Sequence, residues 1–315
     1  MRLVFMGSPE EVVSPLQQLI EHCSSGQDQI LGVVSQPARP AGRKQVLTDP
    51  PVAAFAKSQG LTVWQPEKAS SVDFLESLRQ SAPDLIITAA YGQILSDKFL
   101  QIPTRATINI HPSLLPAYRG ATPIPAALLD GLQETGVTIL FTVKALDAGN
   151  IILQEKYGVA AEEYSASLTQ RLFTSSGTLL LQALDMLRQP GFTGLPQNAD
   201  QVTFCKKIAK NDGQIAWGKP VDKIVNEFRA YKPWPGSYCF WQDQRLVIED
   251  LTQAGQDSPH LEAGVFRLDR KNKVLLVGTG TDPIWVKQLK PAGSKSVDAL
   301  SFWNGARLQE EGKFQ

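Results

Sequence analysis

Residues 84–110 read DLIITAAYGQILSDKFLQIPTRATINI, and the two apolar runs within them, 84–90 and 106–110, predict neighbouring strands of a buried sheet. Both runs are continuous rather than alternating, which is typical of parallel strands covered on both faces. Further strand-like runs and the amphipathic, helix-like stretches between them lie at 3–6, 12–22, 30–35, 50–58 and 72–80. This alternation predicts an α/β fold with a doubly wound, mostly parallel sheet, which binds ligands beyond the carboxyl ends of its strands.

The pattern of residues changes in the second half of the chain. VTILFTV (137–143) predicts one more strand and residues 168–189 a long helix, after which QPGFTGLPQNAD (189–200) is rich in Pro, Gly and polar residues, as linkers are. Beyond it, LVIED, AGVFRL, KVLLVG and PIWVKQL are short runs separated by turn residues, which favours a small β-barrel of the OB-like kind. We therefore expect a domain at 1–189, a linker at 190–205 and a barrel at 206–315.

The composition narrows the class of protein. The chain has 315 residues with 43% hydrophobic and 20% charged, an ordinary globular balance. The formal net charge is zero, but residues 206–315 hold 17 Lys/Arg and 13 Asp/Glu, against 14 and 18 in residues 1–205. A local net of +4 against −4 permits a polyanionic partner at the C-terminal part, although such scatter is common. Three scattered cysteines argue against disulfides and a zinc site, and without a signal peptide or an apolar span we expect a cytoplasmic protein that does not contact membranes.

Two short segments hold the candidate catalytic side chains. Asn109 and His111 stand two residues apart at the end of the predicted strand 106–110, so they project to the same side of the sheet. An amide and an imidazole there can stabilise negative charge that develops on an oxygen. Asp147, in ALDAGNIIL (145–153), could orient the imidazole and favour its protonated form. The alternatives are an ordinary buried histidine and an ordinary turn aspartate.

A basic loop follows the second predicted strand. SQPARPAGRKQVL (35–47) carries Arg39, Arg43 and Lys44 between two prolines and a glycine, so it either contacts phosphates or is simply a solvated loop. The first turn, GSPE (7–10), has a single glycine and lacks the three-glycine dinucleotide fingerprint.

Together these segments resemble the methionyl-tRNA formyltransferase family over nearly the whole chain. The N-terminal blocks that carry the resemblance are MRLVFMGSPE, SQPARPAGR, ITAAYGQIL, INIHPSLLPAYRGATPI, ETGVTI and LDAGNII. The C-terminal blocks are FCKKIAKNDGQIAW, RAYKPWPGSYC and QLKPAGSKSVDALSFWNG. The N-terminal catalytic blocks are shared by other folate-dependent formyltransferases, whereas the C-terminal blocks favour the tRNA-acting branch. The resemblance implies a Rossmann-like formyltransferase domain that transfers a formyl group from 10-formyltetrahydrofolate to the α-amine of initiator methionyl-tRNA, a step of translation initiation.

The resemblance also implies roles for individual residues. Asn109, His111 and Asp147 match the family's catalytic residues, with protonated His111 and Asn109 holding the formyl oxygen and no metal required. Folate binding is implied for Tyr91, Gly92, Ile94, Ser113, Leu114, Leu115 and Pro116. Contact with tRNA is implied for Arg43. We expect it also of the neighbouring Lys44 and of Lys206 and Lys207 in the basic C-terminal part. The family further implies a monomer.

Three alternatives stay open. A formyltransferase acting on an amino sugar nucleotide would share Asn109, His111 and Asp147, and so would a hydrolase that releases formate from the same folate. A non-catalytic tRNA- or folate-binding paralogue is the third, because the chain departs from the family in places. Lys44–Leu47 holds fewer cations than the family's loop, and Thr142-Val143 stands where the family usually has Met-Asp.

Overall fold

The computed structural model describes residues 1–42, 44–255 and 257–315. Contacts between residues divide the chain into two compact units, which we describe separately. Unit 1 comprises Met1–Pro123, Glu134–Gly158 and Thr169–Cys205, and unit 2 comprises Ile124–Gln133, Val159–Leu168 and Lys206–Gln315.

The strands and helices follow in chain order. Up to the long helix they are β1 (Arg2–Gly7), α1 (Val13–Cys23), β2 (Gln29–Val34), β3 (Arg39–Ala41), β4 (Val46–Thr48), α2 (Pro51–Ser58), β5 (Val63–Trp64), α3 (Val72–Ser81), β6 (Leu85–Ala89), α4 (Asp97–Leu100), β7 (Ala106–His111), β8 (Arg119–Gly120), α5 (Pro123–Leu129), β9 (Glu134–Phe141), β10 (Ile151–Gly158) and α6 (Ser165–Arg188). After it come β11 (Phe204–Cys205), α7 (Val221–Tyr231), β12 (Ser237–Trp241), β13 (Gln244–Gln253), β14 (Val265–Asp269), β15 (Val274–Val277), β16 (Ile284–Pro291), β17 (Val297–Asp298), α8 (Ala299–Gly305) and β18 (Gly312–Lys313).

Unit 1 is built on one sheet with the strand order β10-β9-β7-β6-β1-β2-β5. Strands β1, β2, β5, β6 and β7 run parallel, β9 pairs antiparallel with β7, and β10 pairs antiparallel with β9. The prediction of a doubly wound, mostly parallel α/β sheet is therefore confirmed. The chain runs from β1 outward to β2 and β5 and then returns to β6, which lies on the other side of β1. The carboxyl ends of β1 and β6 therefore border a topological switch point, where such sheets bind ligands.

Burial explains why these segments form the sheet and its covering helices. Phe5 and Ile86, on the central strands, are fully buried. Phe74, Leu75 and Leu78 form the buried face of α3 at helical spacing. Each buried side chain of this size stabilises the fold by roughly 2 kcal/mol.

Strand β10 was not predicted from the sequence. Its residues, IILQEKYG, become polar after Leu153, and its outer half is exposed or half-buried. It forms because β9 offers it an antiparallel partner, with Leu153 opposite Ile139 and Tyr157 opposite Thr135. Pairing between strands, rather than an apolar pattern, determines this edge of the sheet.

Unit 2 contains a nearly closed antiparallel barrel, as predicted. Its strands follow the order β12-β13-β16-β15-β14-β18, and β17 also pairs with β16. Phe240 of β12 exchanges two backbone hydrogen bonds of 2.8 Å with Gln315, just beyond β18, and these bonds join the two ends of the sheet. Inside, Phe266 stacks on Phe314 with ring centroids 4.1 Å apart, and Trp217 also stacks on Phe314, with ring centroids 5.6 Å apart.

The expected domain boundaries stay a prediction, and the two units do not follow them throughout. Residues 190–205 belong to unit 1, where Leu195 and Ile151 exchange two backbone hydrogen bonds of 2.8 Å. Residues 124–133 and 159–168 belong to unit 2. Within the described parts of the chain, no helix is both long and apolar enough to cross a membrane.

Candidate active site

Asn109 lies on β7, directly opposite Thr88 of the parallel strand β6. The Thr88 hydroxyl is 2.8 Å from Asn109 Oδ1 and 3.0 Å from the carbonyl oxygen of Ile108, so its single hydrogen is donated to one of the two at a time. The contact with Oδ1 turns the Asn109 amide nitrogen away from Thr88. The half-buried Asn109 is thereby prepared to donate hydrogen bonds to another group.

His111 ends β7 and is almost completely buried, with 4% of its surface exposed. Its Nε2 lies 3.0 Å from the carbonyl oxygen of Tyr118. Since a carbonyl only accepts, Nε2 carries the hydrogen in this contact, and the tautomer follows from it. Nδ1 lies 3.7 Å from Oδ2 of Asp147, a distance for an ion pair and too long for a hydrogen bond.

The charge state of His111 differs from the sequence-based expectation. Burial lowers the pKa of His111 below its ordinary value of 6.5, and the opposing effects of the Asp147 charge and the hydrogen bond with Tyr118 are smaller. The sequence suggested that the aspartate would favour the protonated form. It does act in that direction, but desolvation is stronger because the ring is removed from water. His111 is therefore neutral at neutral pH in the free protein.

Asp147 lies in a tight turn between β9 and β10. Its φ is 49°, in the left-handed region that few residues other than glycine adopt, although aspartate tolerates it better than most. The backbone N–H of Gly120 donates to its Oδ2 at 2.9 Å. A Cβ at Gly149 would collide with the carbonyl oxygen of Phe141, so glycine is required where the turn approaches β9. The sequence ALDAGN thus forms this turn for steric reasons.

Thr138 of β9 holds the loop that follows His111. Its hydroxyl donates to the carbonyl oxygen of Ser113 at 2.6 Å and accepts from the N–H of Leu115 at 3.2 Å and from Gln154 Nε2 at 2.8 Å. Gln154 also donates to the carbonyl oxygen of Leu115 at 2.8 Å. Ser113 and Leu115 are buried, while Leu114 and Pro116 are half-buried. Their expected contact with folate stays a prediction.

The second segment expected to bind folate is the turn after β6. Tyr91 is 4% exposed and packs in the core, and its carbonyl oxygen accepts from Gln36 Nε2 at 2.8 Å. Gly92 has a φ of 86°, and Ile94 is 94% exposed. Such an exposed apolar side chain is available to a ligand. The folate role of these three residues likewise stays a prediction.

The residues expected to contact tRNA lie in two places. Lys44 is exposed in the connection between β3 and β4, which pair as a short hairpin. Arg43 lies outside the described residues. Lys206 and Lys207 are exposed at the start of the C-terminal part.

Sequence reasoning missed four residues around the candidate site: Thr88, Tyr118 and Gln197, which bond to Asn109, His111 and the backbone of Asp147, and Arg119, which bonds to Gln197. Gln197 stands in the segment read as a linker, yet its Nε2 donates to the carbonyl oxygens of Asp147 at 2.7 Å and Gly149 at 2.8 Å. Tyr118 acts through a backbone carbonyl, which leaves no signal in the sequence. In the part of the chain that the structure describes, no three His, Cys, Asp or Glu side chains form a group that could hold a metal ion.

Comparison with known proteins identifies the family of this chain. The sequence model described as Formyl transferase matches residues 1–184, and the model of the Formyl transferase C-terminal domain matches residues 207–307. The methionyl-tRNA formyltransferase of Staphylococcus aureus (strain Newman) is 36% identical over 313 residues, which cover 99% of this chain and 98% of that protein.

Two solved structures share the fold. HypX from Aquifex aeolicus, in complex with tetrahydrofolic acid, matches 96% of this chain with a TM-score of 0.64 and 16% identity, and the chain spans about half of its length (47%). The N-formyltransferase from Helicobacter canadensis, in complex with folinic acid and dTDP-3-aminofucose, has a TM-score of 0.66 and 16% identity over 90% of this chain and 98% of its own. At these identities the likeness shows the fold alone.

Proposed function

Because this chain belongs to the formyl transferase family, as a full-length relative of its methionyl-tRNA formyltransferases, we propose that it formylates the α-amine of initiator methionyl-tRNA. The formyl donor is 10-formyltetrahydrofolate, and the product primes translation initiation. The observation that carries the proposal is the pairing of buried His111 with Asp147 at the end of β7, two residues from Asn109.

The amide of Asn109 stabilises the negative charge that develops on the formyl oxygen. The amine nitrogen bonds to the formyl carbon, and the carbonyl electrons move to the formyl oxygen. Asn109, with its oxygen turned to Thr88, donates from its nitrogen to that oxyanion. Loss of one such donor costs roughly 3 kcal/mol of barrier, about a hundredfold in rate.

His111 moves the proton. Its Nε2–H is held by the Tyr118 carbonyl, so Nδ1 is the nitrogen that accepts the proton released by the amine. Asp147, 3.7 Å away, stabilises the imidazolium that forms. The bond from the formyl carbon to the folate nitrogen then breaks, and the same proton neutralises that leaving nitrogen. A neutral, buried His111 is suited to this order of events because it starts as an acceptor.

The donor is held by two loops, in this proposal. The 113–116 loop, fixed by Thr138, and the turn of Tyr91, Gly92 and Ile94 both follow strands of the sheet, β7 and β6. They supply backbone groups and the exposed Ile94 side chain to the folate ring. A fluorescence titration with a non-reactive folate analogue tests this. Ile94→Ser should weaken binding several-fold, and unchanged binding would contradict the role of that turn.

The tRNA is held by cations that contact phosphates, namely Arg43, Lys44, Lys206 and Lys207. Because residues 124–133 and 159–168 belong to unit 2, deleting residues 206–315 would cut through that unit, so point variants are the sharper test. Replacing Lys206 and Lys207 by Ala should lower the slope of log affinity against log salt by about one per lysine. Lys271→Ala, at another exposed lysine of unit 2, is the control. Equal slopes for all three proteins would contradict the assignment.

The choice of acceptor separates this proposal from its rivals. Purified protein is incubated with the folate donor and either charged initiator tRNA or an amino sugar nucleotide. We expect formyl-methionyl-tRNA alone. Formylation of the sugar nucleotide, release of free formate, or no turnover would favour the sugar-modifying enzyme, the hydrolase and the non-catalytic paralogue, respectively.

A further inference from the structure

Residues 195–205, which the sequence presents as a linker, are bonded along unit 1 to both loops that supply the partners of His111. Leu195 pairs with Ile151, just beyond the Asp147 turn. At the other end, Phe204–Cys205 pairs with Arg119–Gly120, and the N–H of Arg119 donates to the carbonyl oxygen of Thr203 at 2.9 Å. One segment therefore contacts the loop of Tyr118 and the loop of Asp147 together.

Gln197 lies between these two ends and uses its whole amide. Its Nε2 has two hydrogens and donates to the carbonyl oxygens of Asp147, at 2.7 Å, and Gly149, at 2.8 Å. Its Oε1 accepts from Arg119 Nε at 3.1 Å and from a terminal nitrogen of the same guanidinium at 2.7 Å. Arg119 offers only donors, so it fixes which end of the amide is oxygen and directs the nitrogen to the turn.

The Asp147 turn needs such a restraint. A left-handed φ of 49° is less costly for aspartate than for most other residues, but it lies in a sparsely populated region that bonds from the surroundings stabilise. Gly120 holds the Asp147 carboxylate by one hydrogen bond, and Gln197 holds the backbone on both sides of Ala148. Rotation of this backbone would carry the carboxylate away from His111 Nδ1.

We propose that Gln197 is a positioning residue that fixes the left-handed Asp147 turn and thereby sets the distance between its carboxylate and His111. This inference rests on the catalytic role proposed above for Asp147. Arg119 acts one step further out, by orienting Gln197.

Two variants separate this role from a merely structural one. Gln197→Glu keeps an acceptor for Arg119 but removes both donors to the turn, so the 195–205 segment stays attached while the Asp147 backbone is released. Gln197→Met removes the donors and the acceptor without adding a charge. Gln201→Ala, at an exposed glutamine of the same segment, is the matched control.

The experiment measures kcat, the KM for each substrate, Tm and the pH dependence of kcat/KM in the full-length protein. Displacing a catalytic group by about 1 Å costs up to a hundredfold, so we expect Gln197→Glu to lower kcat by about ten- to a hundredfold. Both KM values should change less than twofold, the Tm should be that of the wild type, and Gln201→Ala should match the wild type. In Gln197→Met the limb of the pH profile that reports His111 should move to lower pH, because the facing Asp147 charge retreats.

The inference is overturned if Gln197→Glu keeps full kcat, or if kcat and Tm fall together while the pH profile of Gln197→Met stays in place. Asp147→Asn is assayed in parallel. A wild-type protein that does not formylate methionyl-tRNA would contradict the proposed function, and a fully active Asp147→Asn would contradict the catalytic role of Asp147. An inactive Asp147→Asn beside a fully active Gln197→Glu would contradict the role of Gln197 alone.

Discussion

Two aspartates in unit 1 face a histidine, and their surroundings differ in kind. The carboxylate of Asp28 is fully buried and accepts from the Met1 amine at 2.6 Å, His22 Nε2 at 3.0 Å and Arg188 at 2.5 Å. The carboxylate of Asp147 is 12% exposed, accepts from one backbone N–H, and stands 3.7 Å from its histidine. The Asp28 carboxylate accepts hydrogen bonds from three charged or polar groups of the protein. The Asp147 carboxylate accepts one and lies near its histidine with oxygen lone pairs still available.

The pKa shifts agree with this distinction. Burial alone would raise the pKa of Asp28, but the hydrogen bonds from the Met1 amine, His22 and Arg188 outweigh it, so the pKa falls below its usual value of 3.8. In the pair of His111 and Asp147, the histidine is the more deeply buried partner, and desolvation lowers the pKa of His111. A satisfied ion cluster serves stability, while a loosely paired, neutral imidazole can accept a proton and return it.

The largest effect is expected from His111→Gln. Removing the group proposed to accept and return the proton should lower kcat by about a thousandfold, the middle of the range for general acid–base catalysis. The rate is measured per folded molecule, with folding checked by circular dichroism. Turnover within a few-fold of the wild-type rate would mean that His111, like His22 beside Asp28, has a structural role.

The next effect is on stability and concerns Asp28→Asn. Loss of the buried carboxylate leaves Arg188 and the Met1 amine without their anion, which should lower the free energy of unfolding by about 3 kcal/mol. Urea unfolding measures it, while kcat at a temperature well below the transition should stay that of the wild type. A marked loss of kcat in folded protein would break the contrast between the two aspartates.

Asn109→Ala removes an oxyanion donor and should lower kcat by about a hundredfold with little change in the KM for folate. Steady-state kinetics at saturating tRNA measure both constants. A rise in KM at constant kcat would mean that Asn109 binds the donor rather than the transition state.

A smaller effect is expected from Thr88→Val, because the Asn109 amide remains but loses the bond that orients it. We expect a loss in kcat of about tenfold, the worth of one hydrogen bond. Thr107→Val is the matched control on β7, since within the described ranges the buried Thr107 hydroxyl makes no hydrogen bond. Equal kinetics for the two variants would remove Thr88 from the site.

The smallest effect is a dependence of stability on pH. The folded-state pKa of His111 lies below 6.5, so as the pH falls through 6.5 the unfolded chain takes up a proton that the folded chain does not. Stability is therefore full above pH 6.5 and declines below it. The free energy of unfolding should fall less in His111→Gln than in the wild type between about pH 8 and pH 5.5. Parallel curves would contradict the depressed pKa.

The sequence was sufficient for the elements that rest on burial. The continuous apolar runs of β1, β2, β6 and β7 predicted the first fold, and the short runs separated by turn residues predicted the barrel. The sequence was insufficient where strand pairing or a close approach between two backbone segments determines the structure. β10 follows from its partner β9, and the approach of the Asp147 turn to β9 depends on the tight contact of Gly149 with Phe141. The same limit applied to Gln197, since a polar residue among Pro and Gly has the signature of a linker until its partners are known.

The same reasoning explains the charge state of His111. The sequence placed an aspartate and a histidine in related segments and suggested a protonated ring. It could not show that the ring is 4% exposed, and burial is what decides the sign of the shift.

The most direct test is single-turnover formyl transfer to methionyl-tRNA by Asp147→Asn and Asp28→Asn, measured side by side at a temperature where both are folded. We predict that Asp147→Asn keeps the wild-type Tm and loses about a thousandfold in rate, while Asp28→Asn loses Tm and keeps the rate. Transfer by Asp147→Asn at the wild-type rate would contradict the assignment of this pair as the catalytic one.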